Sequence, residues 1–430
     1  TFSIGQPIDK IGSRTIIKLL HSLKKVMLMA RNMIGNRTFI RALNRSSVLN
    51  TVKNAGPVAR TDIARITGLS PATVTAITSE LIEDNLVFEK AAGDSSGGRR
   101  PILLALNPRG GYVVGIKLTE HEAIGALTDL EATVITRRTQ PWEGSTPQDA
   151  VLVMSRLVHA LAAEKNVRKK QLLGVGVGLA GIIDAEHGIL RSTPYFDWSD
   201  LPLRDMLQAS LKLPVYIDND VNTFTLAEKW FGSGQGIDDF LTVTIGRGVG
   251  MGIVVNGQLY RGVGGGAGEL GHTVVDPLGP LCSCGKRGCL EAYIGDQALI
   301  QSAQKIGRQG DWPSPLDAQA LVDLAASGEP SAQKVLAEAG EKLGIALANL
   351  INLFNPQLII VGGEGTRAGE WIFQSMRRSI HQNTIPGLVK ESTIHIEPWG
   401  DAAWARGAAS LVLGELFQSP VHAQESVPAG

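Results

Sequence analysis

All three cysteines of this 430-residue chain fall between positions 282 and 289. The block reads Gly271-His272, nine further residues, then Cys282-Ser283-Cys284-Gly285-Lys286-Arg287-Gly288-Cys289-Leu290-Glu291. A disulfide framework would spread cysteines along the chain. A cluster beside a histidine points instead to a metal site in a reducing compartment, hence to the cytoplasm. One imidazole and three thiolates, from His272, Cys282, Cys284 and Cys289, suit tetrahedral Zn²⁺. Four protein ligands leave no open position, so the predicted zinc is structural. Gly285 and Gly288 allow the tight turns that would bring the sulfurs round one ion.

The length suggests two or three domains at about 150 residues each. With 43% hydrophobic residues the chain can build real cores. No run of about 18 uncharged apolar residues exists, so no membrane span is expected. Among the 50 glycines, a cluster at 246–271 predicts loops pressed close to a ligand or to other backbone.

The formal net charge of zero hides a split. Residues 1–110 hold 16 Lys/Arg and 7 Asp/Glu, a net +9, and residues 111–430 hold 25 and 34, a net −9. Two jobs are implied. Much of the basic excess belongs to a leader, since residues 61–110 hold 5 basic and 6 acidic side chains. Within that leader, TIIKLLHSLKKVMLMARNMI at 15–34 places Ile16, Leu19, Leu20, Leu23 and Met27 at helical spacing between lysines. Such a helix could touch a membrane or a partner. The plainer expectation is a short extension packing on the body, or sequence upstream of a start at Met29 or Met33. Lysines break any signal-peptide core. Residues 419–430 have little to bury and are expected to be disordered.

Residues 40–107 read as a winged helix-turn-helix. Val48, Leu49 and Val52 share a helix face that ends near Gly56-Pro57. Thr61 is the expected cap of a short second helix, with Ile63 and Ala64 inward, and Gly68 supplies the turn. Ser70 followed by Pro71 is a strong helix start. Val74, Ile77, Leu81 and Ile82 form the predicted buried face of the third helix. Ala72, Thr73, Thr75, Ala76 and Thr78 form the other, short and hydrogen-bond capable, with no carboxylate before Glu80. That face, begun by Ser70 and Pro71, can approach base edges in a major groove. LVFEK and PILLALNP flank a Gly/Ser tip and predict a β-hairpin wing, with Arg99 and Arg100 placed to meet phosphates or the minor groove.

From Tyr112 the pattern alternates strand, turn and helix. GYVVGIKL, EAIGALTDL and ATVITRRTQP read as successive strands, with a helix near 147–164. LLGVGVGLAGIID reads as a buried strand entering a Gly-rich loop. VYIDNDVNTFTLAEKWFG reads as strand, loop and helix, FLTVTIGRGVGMGIVVNGQLYRG as a glycine-turned hairpin, and QLIIVGGEG as a late buried strand. This is an α/β protein with mixed sheets in two lobes around a cleft.

These residues resemble the ROK family of bacterial sugar-responsive repressors and sugar kinases. The resemblance lies in Glu269-Leu270-Gly271-His272, the Cys282–Glu291 block and Asp218-Asn219-Asp220-Val221-Asn222. The hairpin Gly246-Arg247-Gly248-Val249-Gly250, Asn355-Pro356 and Gly362-Gly363 add to it. It covers nearly all of the chain from about residue 40. It implies an actin-like (ribonuclease H-like) two-lobed sugar-binding domain over 108–418, with a hexose-type sugar held by Asn219, Asp220, Glu269, His272 and Glu291. Carboxylates accept from hydroxyls and Asn both donates and accepts. His272 could ligate zinc through one ring nitrogen and face a hydroxyl with the other. Gly178, Gly181 and Asp184 are further candidates for shaping the cleft.

In ROK kinases Asp220 would match the general base, and a first hairpin like Asp-x-Gly-Gly-Thr would cradle phosphate. Here that stretch is Lys117-Leu118-Thr119-Glu120-His121, and Arg247 stands between the glycines of the second phosphate loop, where a Thr is expected. Side chains and a negative charge fill the space where bare backbone should meet phosphate. Phosphoryl transfer depends on that positioning. The resulting expectation is a sugar-responsive DNA-binding regulator, a repressor without catalytic residues, acting on operator DNA as a homodimer or homotetramer. The alternatives are an ATP-dependent sugar kinase and a winged helix that grips a protein partner.

Overall fold

The Gly68 turn and the Ser70 cap organise the N-terminal part as the sequence anticipates. The computed structural model describes residues 37–90, 101–144, 146–306, 312–313, 315–398 and 402–417. They divide into two compact units, one reaching to Asn107 and including the chain from Leu416, the other Pro108–Glu415.

In the first unit, α1 (Arg37–Ala55) buries Val48, Leu49 and Val52. A short strand β1 (Val58–Ala59) leads into α2 (Arg60–Thr67), which ends where Gly68 takes a left-handed φ of 70° and its amide returns to the Ala64 carbonyl. Helix α3 (Pro71–Glu83) starts at Ser70, whose hydroxyl accepts from the Thr73 amide. Strands β2 (Val87–Lys90) and β3 (Leu103–Leu106) pair antiparallel, and β1 adds to β3. The sequence reading missed β1 because two residues carry no alternation. It also placed the cap of α2 at Thr61, whereas the helix already begins at Arg60, with Ala59 at the cap position and no side-chain cap. Ile63, Val74, Ile77, Leu81 and Leu104 form the core of this unit, each worth about 1.5–3 kcal/mol when fully buried. Phe417 completes it: its carbonyl accepts from Ser46 Oγ at 3.1 Å and Asn50 Nδ2 at 2.6 Å, under a fully buried ring. Residues 1–36, the wing tip 91–100 and the tail 418–430, with the leader helix, wing arginines and disorder expected there, lie outside the described residues.

The second unit is an actin-like α/β body with two sheets. The first has the order β11-β7-β4-β5-β6. In it β4 (Tyr112–Leu118), β5 (Glu122–Thr128) and β6 (Val134–Pro141) are antiparallel neighbours, and β7 (Leu172–Leu179) and β11 (Val215–Asn219) run parallel to β4. Helices α4 (Pro147–Glu164) and α5 (Leu203–Leu211) cover it through Met154, Leu157, Leu161 and Leu207. A small sheet, β8 (Ile182–Asp184), β9 (Ile189–Ser192) and β10 (Ser199–Leu201), branches from the end of β7. Helix α6 (Asp220–Phe231) follows β11 directly.

In the second sheet β12 (Phe240–Ile245) pairs antiparallel with β13 (Val249–Val255), and β14 (Gln258–Leu259) extends that edge. On the other side β15 (Leu358–Gly362) and β16 (Thr393–Ile396) run parallel to β12. Short α7 (Glu291–Ile294), then α8 (Asp296–Ile306), α9 (Ala318–Ala326), the 25-residue α10 (Pro330–Phe354) and α11 (Glu370–Asn383) build its core. Helix α12 (Ala402–Phe417) lies so close to β7 that a Cβ on Gly176 would meet the Ala408 carbonyl at 1.8 Å. Among the described residues no helix is long and apolar enough to cross a membrane.

Candidate functional site

The junction of β11 and α6 builds the floor of the cleft. Asn219, in extended conformation, caps α6: its Oδ1 accepts from the Val221 and Asn222 amides at 2.8 and 3.3 Å, and its Nδ2 donates to the Gly181 carbonyl at 3.0 Å. Asn219 therefore lines the cleft with most of its hydrogen-bonding capacity engaged by its own chain, and the loop expected between strand and helix is absent. Asp220 is the first helical residue, and its Oδ1 accepts the Val221 amide at 3.0 Å. Burial holds its carboxyl above the ordinary carboxylate range, an effect that the Lys117 ammonium opposes. Beneath them the fully buried Asp218 accepts from Asn222 Nδ2, the Asn219 amide and Arg261 Nε, each at 2.8 Å.

Asn219, Asp220, Glu269, His272 and Glu291 all face one cleft of about 1210 Å³. The structure thus brings together every side chain that the ROK resemblance assigns to sugar. Glu269 enters from a glycine-rich loop. Desolvation by the cleft walls raises its carboxyl, with the like charges of Glu291 and Asp220 adding to the effect and His272 opposing it. Glu291, at the start of α7, accepts the Val249 amide on Oε2 at 3.0 Å, so one oxygen steadies the β12–β13 turn. Gly181 also lines the cleft; its φ of 126° and the Ser192 carbonyl, 2.1 Å from where a Cβ would sit, require glycine there. Asp184 does not face the cleft. It is buried, turned into the β8–β9 hairpin by His187 Nδ1 at 2.9 Å and Arg191 Nη2 at 2.6 Å, and these partners lower its pKa against the opposing burial.

Behind His272 the metal motif converges. Ligand atoms of His272, Cys282, Cys284 and Cys289 lie within 4.8 Å of one another. His272 Nδ1 is 3.6 Å from Cys282 Sγ, and Cys284 Sγ is 3.7 Å from Cys289 Sγ. Tetrahedral metal–sulfur bonds of about 2.3 Å require edges near 3.8 Å, so the spacing fits a metal ion. Burial pushes the Cys289 thiol up to about 12, a cost that a bound divalent cation reverses by taking the sulfur as thiolate. With Nδ1 on the metal side, Nε2 of His272 is left for the cleft.

Another part of the cleft is built from charge. Glu120, on the β4–β5 turn, receives both of its bonds from Arg247 Nη2 on the β12–β13 turn, at 2.7 and 2.6 Å. The guanidinium also lies 5.2 Å from the Tyr195 ring centroid. Lys117 on β4 is 3.8 Å from Glu364, just after β15, and desolvation lowers its pKa. Trp142 Nε1 donates to the Thr119 carbonyl at 3.1 Å, tying the first turn to the Trp142, Phe196 and Trp198 cluster. Sequence reasoning noticed Lys117, Glu120 and Arg247 as departures from a kinase pattern but not that they meet. Tyr195 and Glu364 carry no motif signal at all.

On the first unit, Pro71, Ala72 and Thr75 are exposed and Thr73 is half-buried. The Ser70 hydroxyl is engaged at the cap with the Thr73 amide and hydroxyl. Thr78 corrects the sequence reading. It is fully buried, accepts from Arg60 Nε at 3.1 Å and donates to the Thr75 carbonyl at 3.1 Å. Positions 74, 77, 78 and 81 repeat at helical spacing, which puts Thr78 on the inner face. Arg99 and Arg100 lie outside the described residues.

Comparison with known proteins agrees with this geometry. The ROK family profile matches residues 113–415. The chain is 33% identical over 403 residues to the xylose repressor of Caldicellulosiruptor bescii, covering 91% of this chain and 100% of that protein. Its fold is similar to a crystal structure of a ROK family transcriptional regulator described as a homolog of the E. coli MLC protein: TM-score 0.80, 27% identity, 90% of this chain and 99% of the other. A ROK family glucokinase from Streptomyces griseus, solved with glucose and AMPPNP, matches at TM-score 0.61 and 28% identity, over 70% of this chain and 99% of that one. Motif, fold and cleft together establish that this chain belongs to the ROK family.

Proposed function

We propose that the chain is a sugar-responsive transcriptional repressor and not a sugar kinase. The observation that carries this reading is the Glu120–Arg247 pair, which joins the two turns where a ROK kinase would cradle phosphate. Glu120 would repel a phosphate, and Arg247 is already neutralised by it. Asp220 is then an acceptor for a sugar hydroxyl and has no catalytic duty. Asp220, Glu269, Glu291 and His272 Nε2 supply the polar contacts and Asn219 a remaining amide proton, and Zn²⁺ on the Cys3His set fixes the His272 ring. The xylose repressor likeness favours a neutral monosaccharide.

The winged helix, residues 40–107, binds operator DNA in the cytoplasm through Ala72, Thr73 and Thr75 on α3, with Ser70 and Pro71 fixing its start. Arg99 and Arg100 add phosphate contacts. A homodimer or homotetramer would read a palindromic site. By linkage, sugar and DNA must weaken each other by the same factor.

A thermal-shift panel of D-xylose, D-glucose and N-acetylglucosamine finds the effector, because a binder raises Tm by mass action. Anisotropy with the DNA upstream of the gene should then show salt-dependent binding that the effector weakens. Turnover of ATP with any of these sugars would overturn the reading, as would an effector affinity that operator DNA leaves unchanged.

A further inference from the structure

Lys117, Glu120, Arg247 and Glu364 form a charged cluster of two ion pairs beside the cleft that holds Asp220. Lys117 lies on β4 of the first sheet and Glu120 on the turn that follows it, whereas Arg247 lies on the β12–β13 turn of the second sheet and Glu364 just after β15. Both pairs therefore cross the cleft. The Arg247 contact is the stronger by geometry: one terminal nitrogen lies 2.7 and 2.6 Å from the two oxygens of Glu120, with Tyr195 under the guanidinium. Each end is also braced. Trp142 holds the Thr119 carbonyl beside Glu120, and Glu291 holds the Val249 amide two residues after Arg247.

We propose that Arg247 is a positioning residue of the sugar cleft, acting through Glu120 to hold the two sheets together over Asp220. In a nucleotide-using relative, phosphates lying between these turns could supply such a bridge. Here the chain supplies it from its own side chains, with Lys117–Glu364 as a second, weaker pair. The sugar site can then stay assembled with no second ligand. This deepens the sugar-cleft reading and rests on it only for its purpose. The bridge itself is a property of the unliganded chain.

Amide hydrogen exchange on the full-length protein, without sugar or DNA, tests the bridge. The readouts are the Thr119 and Glu122 amides on one turn and the Val249 amide on the other. Glu120→Arg and Arg247→Glu each place like charges face to face and should speed exchange at both turns about fivefold, the factor that corresponds to an ion pair at the upper end of the exposed range. Arg247→Lys keeps the charge without the planar guanidinium beside Tyr195 and should fall between. The double variant Glu120→Arg with Arg247→Glu restores opposite charges and should return exchange toward the wild-type rate. Raising KCl from about 0.05 to 0.5 M should shrink every difference, because screening weakens exposed charge pairs. Single variants that exchange like wild type, or a double variant as fast as the worse single one, would overturn the proposal. Because no sugar is present, failure of the sensor reading cannot be mistaken for failure of the bridge.

Discussion

Two parts of the cleft are built by opposite means. In one, His272 belongs to a compact motif whose four candidate ligand atoms lie within 4.8 Å, with Glu269 and Glu291 close to that motif in sequence. In the other, Lys117 and Glu120, Arg247, and Glu364 come from three separated stretches and meet only through the fold. The first is set by local sequence, the second by side-chain charge that the fold brings together. The difference teaches that one part of a cleft can be specified by neighbouring residues while another is specified only by the tertiary structure.

The largest effect should come from the metal part. Cys289→Ser removes a fully buried ligand and should cost about 4 kcal/mol or more, as loss of a metal site does. Zinc content by mass spectrometry and Tm on the same sample check it; a zinc-loaded, equally stable variant would erase the contrast between the two parts. Next, Asp220→Asn replaces an ionic acceptor with a neutral amide and should weaken the effector about 10- to 100-fold, since hydrogen bonds to charged groups contribute about 1.5–3 kcal/mol. Calorimetric titration reads it directly, and an unchanged Kd would move the sugar away from the floor of the cleft.

Acidity gives a smaller, signed effect. Burial raises both Asp220 and Glu269 in the folded chain. A raised carboxyl is at ease when protonated, so its contribution to stability is fully present below the ordinary value of about 4 and is lost as pH rises through the folded value. Sugar affinity should move the other way, falling on acidification at a pH above that ordinary value, because a protonated carboxyl loses acceptor capacity. Titrations across pH 5–8, paired with melts, should show the two trends opposed. The smallest effect belongs to the charged part: Lys117→Met removes the ammonium that opposes the burial of Asp220, so the fall in affinity should begin at higher pH than in wild type.

Legibility followed the nature of each constraint. The candidate metal ligands were readable because three cysteines fall within eight residues of chain, ten residues after one histidine. The helices of the first unit were readable from periodicity and from the Ser70 cap, and the cleft strands from apolar runs. Thr78 was misplaced because a short polar side chain satisfied by Arg60 looks, in sequence, like a solvent-facing one. Asp184 was misplaced because an acid in a glycine-rich loop looks like a ligand contact until His187 and Arg191 are seen to enclose it. Tyr195 was missed because an aromatic in a loop has no spacing to betray its partner.

Glu291 has a consequence for how such a sensor can change over time. One of its oxygens holds the backbone of the turn that carries Arg247, while the side chain faces the cleft. A substitution there that retunes which sugar fits will also loosen the turn opposite Glu120. New effector specificity at this position therefore arrives together with a change in how readily the cleft opens, and lineages that switch sugars should do so first at positions such as Glu269, whose carboxylate stands apart from the frame.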